Sequence, residues 1–197
     1  MMGVGKTTLG KIVAKKAGLK FIDTDANIEE NCLMRISEIF KKKGEKFFRL
    51  EEKKEVSKSL KESNSVIALG GGAFIDKTIR DNVLKNAVSI WLDADLKDLN
   101  KRIKWSNKRP LLNKENTQKK INKLYNDRKN IYKLANHKIN CDNLSKENIA
   151  KKIRGVRQTN RYGQQYSVHP NKSYDCFLLA ELKGTHKRVQ GRFTKVA

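Results

Sequence analysis

Proline is nearly absent from this chain: only Pro110 and Pro170 occur in 197 residues. With 12 glycines beside them, collagen-like and Pro/Gly-rich disordered classes are excluded. Cysteine is equally sparse. Cys32, Cys141 and Cys176 stand far apart and form no CxxC pair, which argues against a disulfide framework or a zinc site and for a reducing cytoplasm. No run of about 18 apolar residues exists to span a bilayer. The opening Met1-Met2-Gly3-Val4-Gly5-Lys6 lacks the apolar stretch of a signal peptide. Acidic residues are few: 21 against 44 lysines and arginines, for a net charge of +23. Lysine recurs throughout rather than gathering into one stripe, so solvated faces account for it better than a nucleic-acid or membrane partner. The positive field would still draw in an anionic nucleotide and an anionic substrate.

What is present is an alternation of apolar runs and helical patterns, the signature of an α/β fold with a parallel sheet. The pattern predicts strands at 20–23, 66–70, 88–92 and 137–141. It predicts helices at 6–17, 28–31, 36–43, 47–62, 77–85, 96–104, 117–135 and 146–153. Composition changes near Gly155: Gln118 is the only glutamine before it, and Gln158, Gln164, Gln165 and Gln190 follow. Residues 1–153 therefore read as one domain and 154–197 as a basic tail of different origin, disordered, fused or frame-shifted.

Gly3-Val4-Gly5-Lys6-Thr7-Thr8 has the form of the second half of a Walker A loop. Glycines let backbone N–H groups curl around phosphate oxygens, and a helix starting at Lys6 aims its positive end at the same anion. Lys6 would reach the β- and γ-phosphates and the Thr7 hydroxyl would ligate Mg²⁺. The full pattern needs a glycine six residues before the lysine, and a strand leading into it. Both would lie upstream of Met1, so the expectation is a chain whose central strand is missing. The apolar stretch Phe177–Leu182 cannot feed directly into Gly3 and is not expected to take that place.

Further along, Asp23-Thr24-Asp25 ends a strand in two acids, which at i and i+2 of an extended segment point to one side. One could hold hydrated Mg²⁺ and the other accept a hydroxyl proton; an aspartate there also serves as a helix N-cap. Arg49, in Gly44-Glu45-Lys46-Phe47-Phe48-Arg49-Leu50-Glu51-Glu52, offers a planar fork for a carboxylate, or pairs simply with Glu45 or Glu52. Val66–Leu69 runs into Gly70-Gly71-Gly72, where a ligand can lie against the backbone. Lys108–Leu112 has the look of a lid carrying Arg109, or of a helix end closed by Pro110. Arg128 and Tyr132 share a helix face at i and i+4, which by itself is an ordinary solvated surface.

Taken in order, these motifs resemble the shikimate kinase family: GxGKTT at Gly3–Thr8, DTD at Asp23–Asp25, GExxFRxxE at Gly44–Glu52, GGGA at Gly70–Ala73, RPLL at Arg109–Leu112 and an RxxxY motif from Arg128. The resemblance covers residues 1–153. It implies a P-loop, nucleoside-monophosphate-kinase-like parallel sheet flanked by helices, and ATP-dependent phosphorylation of the shikimate 3-hydroxyl. It implies that Gly3, Val4, Gly5, Lys6, Thr7, Thr8, Arg102 and Arg109 bind ATP, and that Thr7 and Asp23 hold Mg²⁺. Asp25, Arg49, Gly70, Gly71, Gly72 and Arg128 would bind shikimate, walled by Phe40 and Phe48; Lys6, Asp25 and Arg109 would be catalytic. A monomer with no nucleic-acid or membrane partner is implied. A gluconate-kinase-like enzyme and an inactive homologue are the alternatives. Leu33-Met34-Arg35 departs from the family, which usually has a glycine-containing turn there.

Overall fold

A computed structural model describes residues 5–95, 117–161 and 182–183. Its first helix, α1 (Lys6–Ala17), begins on Gly5 and stops on Gly18, both in the left-handed region that glycine adopts without strain. Strand β1 (Lys20–Asp23) follows, then α2 (Thr24–Cys32), α3 (Ile36–Lys42), α4 (Gly44–Ser59) and β2 (Ser65–Ala68). A single 3₁₀ turn (Ala73–Ile75) leads into α5 (Lys77–Asn86) and β3 (Ile90–Asp95). The described chain resumes with α6 (Thr117–Tyr132), β4 (His137–Asn140), α7 (Lys146–Arg161) and the short β5 (Leu182–Lys183).

Among the described residues the strands form a two-stranded and a three-stranded sheet, with every pair parallel. β1 lies beside β2 with Lys20 opposite Ser65 and Asp23 opposite Ala68. β3 lies between β4 and β5, with Ile90 opposite His137 and Ala94 opposite Leu182. Two hydrophobic layers sandwich the strands. Leu9, Val13 and Ala14 of α1 pack with Val66, Ile90, Leu92 and Ile139 from the strands and with Ile149, Ala150 and Ile153 of α7. On the opposite face Ile22, Ile67 and Trp91 meet Val56, Phe74, Ile79, Val83 and Tyr132. Neighbours such as Val66 and Ile67, or Ile90 and Trp91, therefore go to opposite layers, as the period of two requires. β2 is buried at all four residues, which is why it reads as a near-continuous apolar run. A third cluster, Ile28, Ile39 and Phe48, joins α2, α3 and α4 to one side of the sheet.

The helices expected at 6–17, 36–43, 77–85 and 117–135 appear with small changes at their ends. The expected 28–31 helix starts earlier, at Thr24, because the Asp23 carboxylate accepts from the Asp25 and Ala26 amides and caps it. The 47–62 helix likewise spans Gly44–Ser59. β3 sits later than expected, since Ser89 is held outside the strand by hydrogen bonds to Asn136 Oδ1. Its acidic end is accommodated by Lys138, whose Nζ lies 2.9 Å from the buried Asp93 carboxylate. α7 continues past Gly155, where the composition changes, to Arg161. Leu182, at the end of the stretch not expected to replace the missing strand, pairs with β3 opposite Ala94. The expected helix at 96–104 lies outside the described residues.

Candidate active site

Four segments converge at the C-terminal ends of β1 and β2, the edge where open α/β sheets hold ligands. The first is the start of α1. Gly5 adopts φ 87°, with open space on the side where a Cβ would project, and Lys6 and Thr7 form the first helical turn. Thr8 follows them, exposed. The second is the end of β1. Asp23 Oδ2 accepts a 2.6 Å hydrogen bond from the Thr7 hydroxyl, while its other oxygen caps α2. Of the roles open to Asp23 in the sequence, the helix cap is thus filled. Asp25 is not on an extended segment with it, as the i, i+2 spacing suggested, but in the first turn of α2. Asp25 Oδ1 is buried and has no hydrogen-bond partner among the described residues. Burial pushes its carboxyl above the usual range, and the Lys6 charge acts against that rise.

The third segment is the glycine run after β2. A Cβ on Gly70 would come within 2.5 Å of Asp25 Oδ1 and 2.8 Å of Glu52 Oε1, so two buried carboxyl groups meet over a residue that has no side chain. A Cβ on Gly72 would come within 2.9 Å of Arg49 Nη1. Thr24, fully buried, stitches this run to α2: its hydroxyl donates to the Ala68 carbonyl and accepts from the Gly70 amide. The fourth segment is α6. Arg128 Nη1 and the Tyr132 hydroxyl both donate to the Gly71 carbonyl, and Tyr132 is buried against Phe74 and Trp91. This face is not the solvated surface that its spacing allowed.

Arg49, on α4, donates to Glu45 Oε1 at 3.0 Å and to Glu52 Oε2 at 2.7 Å. The guanidinium also lies 5.3 Å from the Phe48 ring centroid, and Phe48 packs against Phe40 at 4.9 Å. The Glu52 side chain is 1% exposed. Burial raises its pKa and the Arg49 hydrogen bond opposes that rise. Of the expected site residues, Gly5, Lys6, Thr7, Thr8, Asp23, Asp25, Arg49, Gly70, Gly71, Gly72 and Arg128 are described. Gly3, Val4, Arg102 and Arg109 lie outside the described residues. The sequence singled out neither Thr24 nor a role for Glu52 beyond pairing. The signal for Thr24 was a hydroxyl residue between two acids at a strand end; nothing local marked Glu52 as buried.

A glycine-led helix start, an aspartate touching the hydroxyl of that first turn, and parallel strands packed between helices define a P-loop phosphotransferase. A sequence model of the family described as Shikimate kinase matches residues 2–156. This chain belongs to the shikimate kinase family. It is 39% identical over 152 residues to a shikimate kinase of Sulfurihydrogenibium sp. (strain YO3AOP1), an alignment covering 77% of this chain and 90% of that one. It is 40% identical over 151 residues to the shikimate kinase of Bacillus subtilis (strain 168), covering 76% and 81%. Its fold matches the structure of shikimate kinase from Acinetobacter baumannii in complex with shikimate, with a TM-score of 0.77 at 29% identity over 82% of this chain and 91% of that one.

Proposed function

We propose that this chain transfers the γ-phosphoryl group of ATP to the 3-hydroxyl of shikimate. The observation that carries this is Asp25 Oδ1, buried against Gly70 with no hydrogen-bond partner among the described residues, under the Lys6 charge and with Arg49 beside Gly72. A buried acceptor atom without a donor fits a substrate hydroxyl. A raised pKa suits a group that takes the hydroxyl proton as the nucleophile attacks. The substrate oxygen bonds to the γ-phosphorus, the bond to the β,γ-bridging oxygen breaks, and the proton passes to Asp25. Arg49 and Arg128 are suited to the acceptor's carboxylate, with the Gly70–Gly72 backbone beneath the ring and Phe40 and Phe48 as walls.

The Gly3–Gly5 backbone, Lys6, Thr7 and Thr8 hold the phosphates in this reading, Arg102 contacts the nucleotide base and Arg109 closes over the transferred group. Phosphoryl transfer depends chiefly on positioning and charge neutralisation. The Thr7 hydroxyl and Asp23 carboxylate, 2.6 Å apart, present the hard oxygen donors that Mg²⁺ prefers. When bound there, Mg²⁺ would neutralise phosphate charge. The enzyme works as a monomer in the cytoplasm, where its thiols stay reduced.

An ADP-release assay with Mg-ATP and a panel including shikimate and gluconate tests the proposal. Turnover is expected with shikimate, and Lys6→Ala should reduce it to background. Turnover with gluconate instead, or with neither, overturns it.

A further inference from the structure

One helical turn beyond Glu52, α4 turns a second acid inward. Glu55 is 5% exposed and lies on the far side of Glu52 from Arg49. Its Oε1 accepts from Asn27 Nδ2 at 2.6 Å and from Ser59 Oγ at 3.1 Å, and its Oε2 accepts from Asn31 Nδ2 at 3.5 Å. Among the described residues no lysine or arginine forms an ion pair with it. Every donor is therefore neutral, and two of the three come from α2.

This is an expensive way to join two helices. Taking a carboxylate out of water is costly unless its partners compensate, and the adjoining contacts between these helices are made by apolar Ile28 and Phe48. An aliphatic residue at 55 would pack with no such cost. What hydrogen bonds supply and aliphatic packing does not is register. Apolar surfaces slide over one another by fractions of an ångström at little cost, whereas hydrogen bonds weaken steeply off their geometry. The register matters because of what the two helices carry. Asn27 sits two residues from Asp25, and Glu55 three residues from Glu52 and six from Arg49. A shift of α2 along α4 moves the Asp25 carboxyl relative to the Arg49–Glu52 pair.

We propose that Glu55, clamped by Asn27, Asn31 and Ser59, is a positioning residue that sets α2 against α4 and so fixes the distance between the proton acceptor and the carboxylate-binding arginine. It touches no substrate. The inference rests on the acceptor-site reading above, since that reading gives Asp25 and Arg49 their roles.

The test compares Glu55→Leu, Glu55→Gln and Asn27→Ala in the full chain by steady-state kinetics and by hydrogen exchange over residues 24–32. Glutamine keeps an oxygen for Asn27 and Ser59; leucine keeps the volume alone. E55L should raise the acceptor KM about tenfold, as small misplacements do, with the ATP KM unchanged. E55Q should restore it to within about twofold of the wild type, and N27A should match E55L, because both break the 2.6 Å bond. Exchange over 24–32 should accelerate in E55L and N27A but not in E55Q, a readout that needs no activity. Equal rises in both KM values, or no rescue by glutamine, would reduce Glu55 to a stability residue. Unchanged exchange in E55L and N27A would overturn the clamp itself. Should E55L fail to fold, N27A and E55Q carry the same comparison. Wild-type protein without shikimate turnover sinks the functional proposal, whereas wild-type turnover with an unaltered acceptor KM in N27A sinks only the positioning role.

Discussion

Asp25 shows what the site demands of a single side chain. Its carboxyl is held above its ordinary range by burial, in spite of the Lys6 charge. The folded state thus binds a proton more tightly there than the unfolded chain does. Stability tied to this group is fully present below the ordinary carboxylate pKa of about 3.9 and is lost as pH rises through the higher folded value. Asp25→Asn should accordingly raise the thermal midpoint at pH 7, with the gain shrinking as pH falls toward the ordinary value. The same change should lower kcat by about 10²–10⁴, the usual worth of a positioned general base. Melting curves of both proteins at pH 4 and pH 7, beside the kinase assay, check the pair of effects. A midpoint that falls at pH 7 would show that Asp25 has partners beyond those described.

Leu33 is a residue in the wrong conformation for its type. It closes α2 at φ 50°, in the left-handed region, with its side chain 91% exposed. A branched side chain there costs roughly 1–2 kcal/mol that glycine does not incur, and nothing is gained by burying it. Leu33→Gly should stabilise the protein by about 1 kcal/mol, less the entropy that glycine brings to the unfolded chain. Urea denaturation would show the midpoint rising at constant slope. The departure from a glycine-containing turn was visible in the sequence, and the torsion angle is its physical consequence.

At the scale of elements, the glycine run is where the strands meet the helices. Its members are not equivalent. A methyl group on Gly70 would press on two buried carboxyl groups, Asp25 and Glu52, whereas one on Gly72 would come nearest to the partly exposed tip of Arg49. Gly70→Ala should therefore lower kcat/KM by about 10²-fold, consistent with misplacement of a reacting group. Gly72→Ala should raise the acceptor KM by a few-fold and leave kcat nearly intact, because an arginine tip can move aside. Parallel kinetics on the two variants separate these outcomes; identical losses would contradict the geometry.

The same scale explains which elements could be read in advance. α1 was legible because its periodicity, its glycine start and its glycine stop are all local. β3 was misplaced because Asn136, 47 residues away from Ser89, decides where the strand begins. The same distance in sequence separates Asp95 from Asp142, whose carboxylate accepts from the Asp95 amide. No window centred on residues 88–95 contains either partner. The pairing of Leu182 with Ala94 had no local signal either, since its partner lies far off along the chain.

For the molecule as a whole, the charge of +23 acts on every anion that approaches. That figure already subtracts the acids of exposed pairs such as Lys20–Glu62 and Lys77–Asp81. Because such a field is screened beyond about 8 Å at 0.15 M salt, kcat/KM for ATP should fall as ionic strength rises, while kcat changes little. Initial rates at constant pH across a sodium chloride series check this. A flat kcat/KM would mean that nucleotide capture owes nothing to the excess charge.

The chain's sequence alone determined the order of motifs and the start and stop of α1 on its two glycines. Those properties depend on neighbours within a few residues, so they survive without a fold. Only the tertiary structure decided that Asp25 Oδ1 is buried with no hydrogen-bond partner among the described residues, and that Arg128 reaches the Gly71 carbonyl. It alone revealed Thr24 and Glu55 as the links among α2, α4 and the glycine run. Burial, partner choice and pKa are set by what lies across space, and for these residues the deciding atoms are up to 57 positions away along the chain.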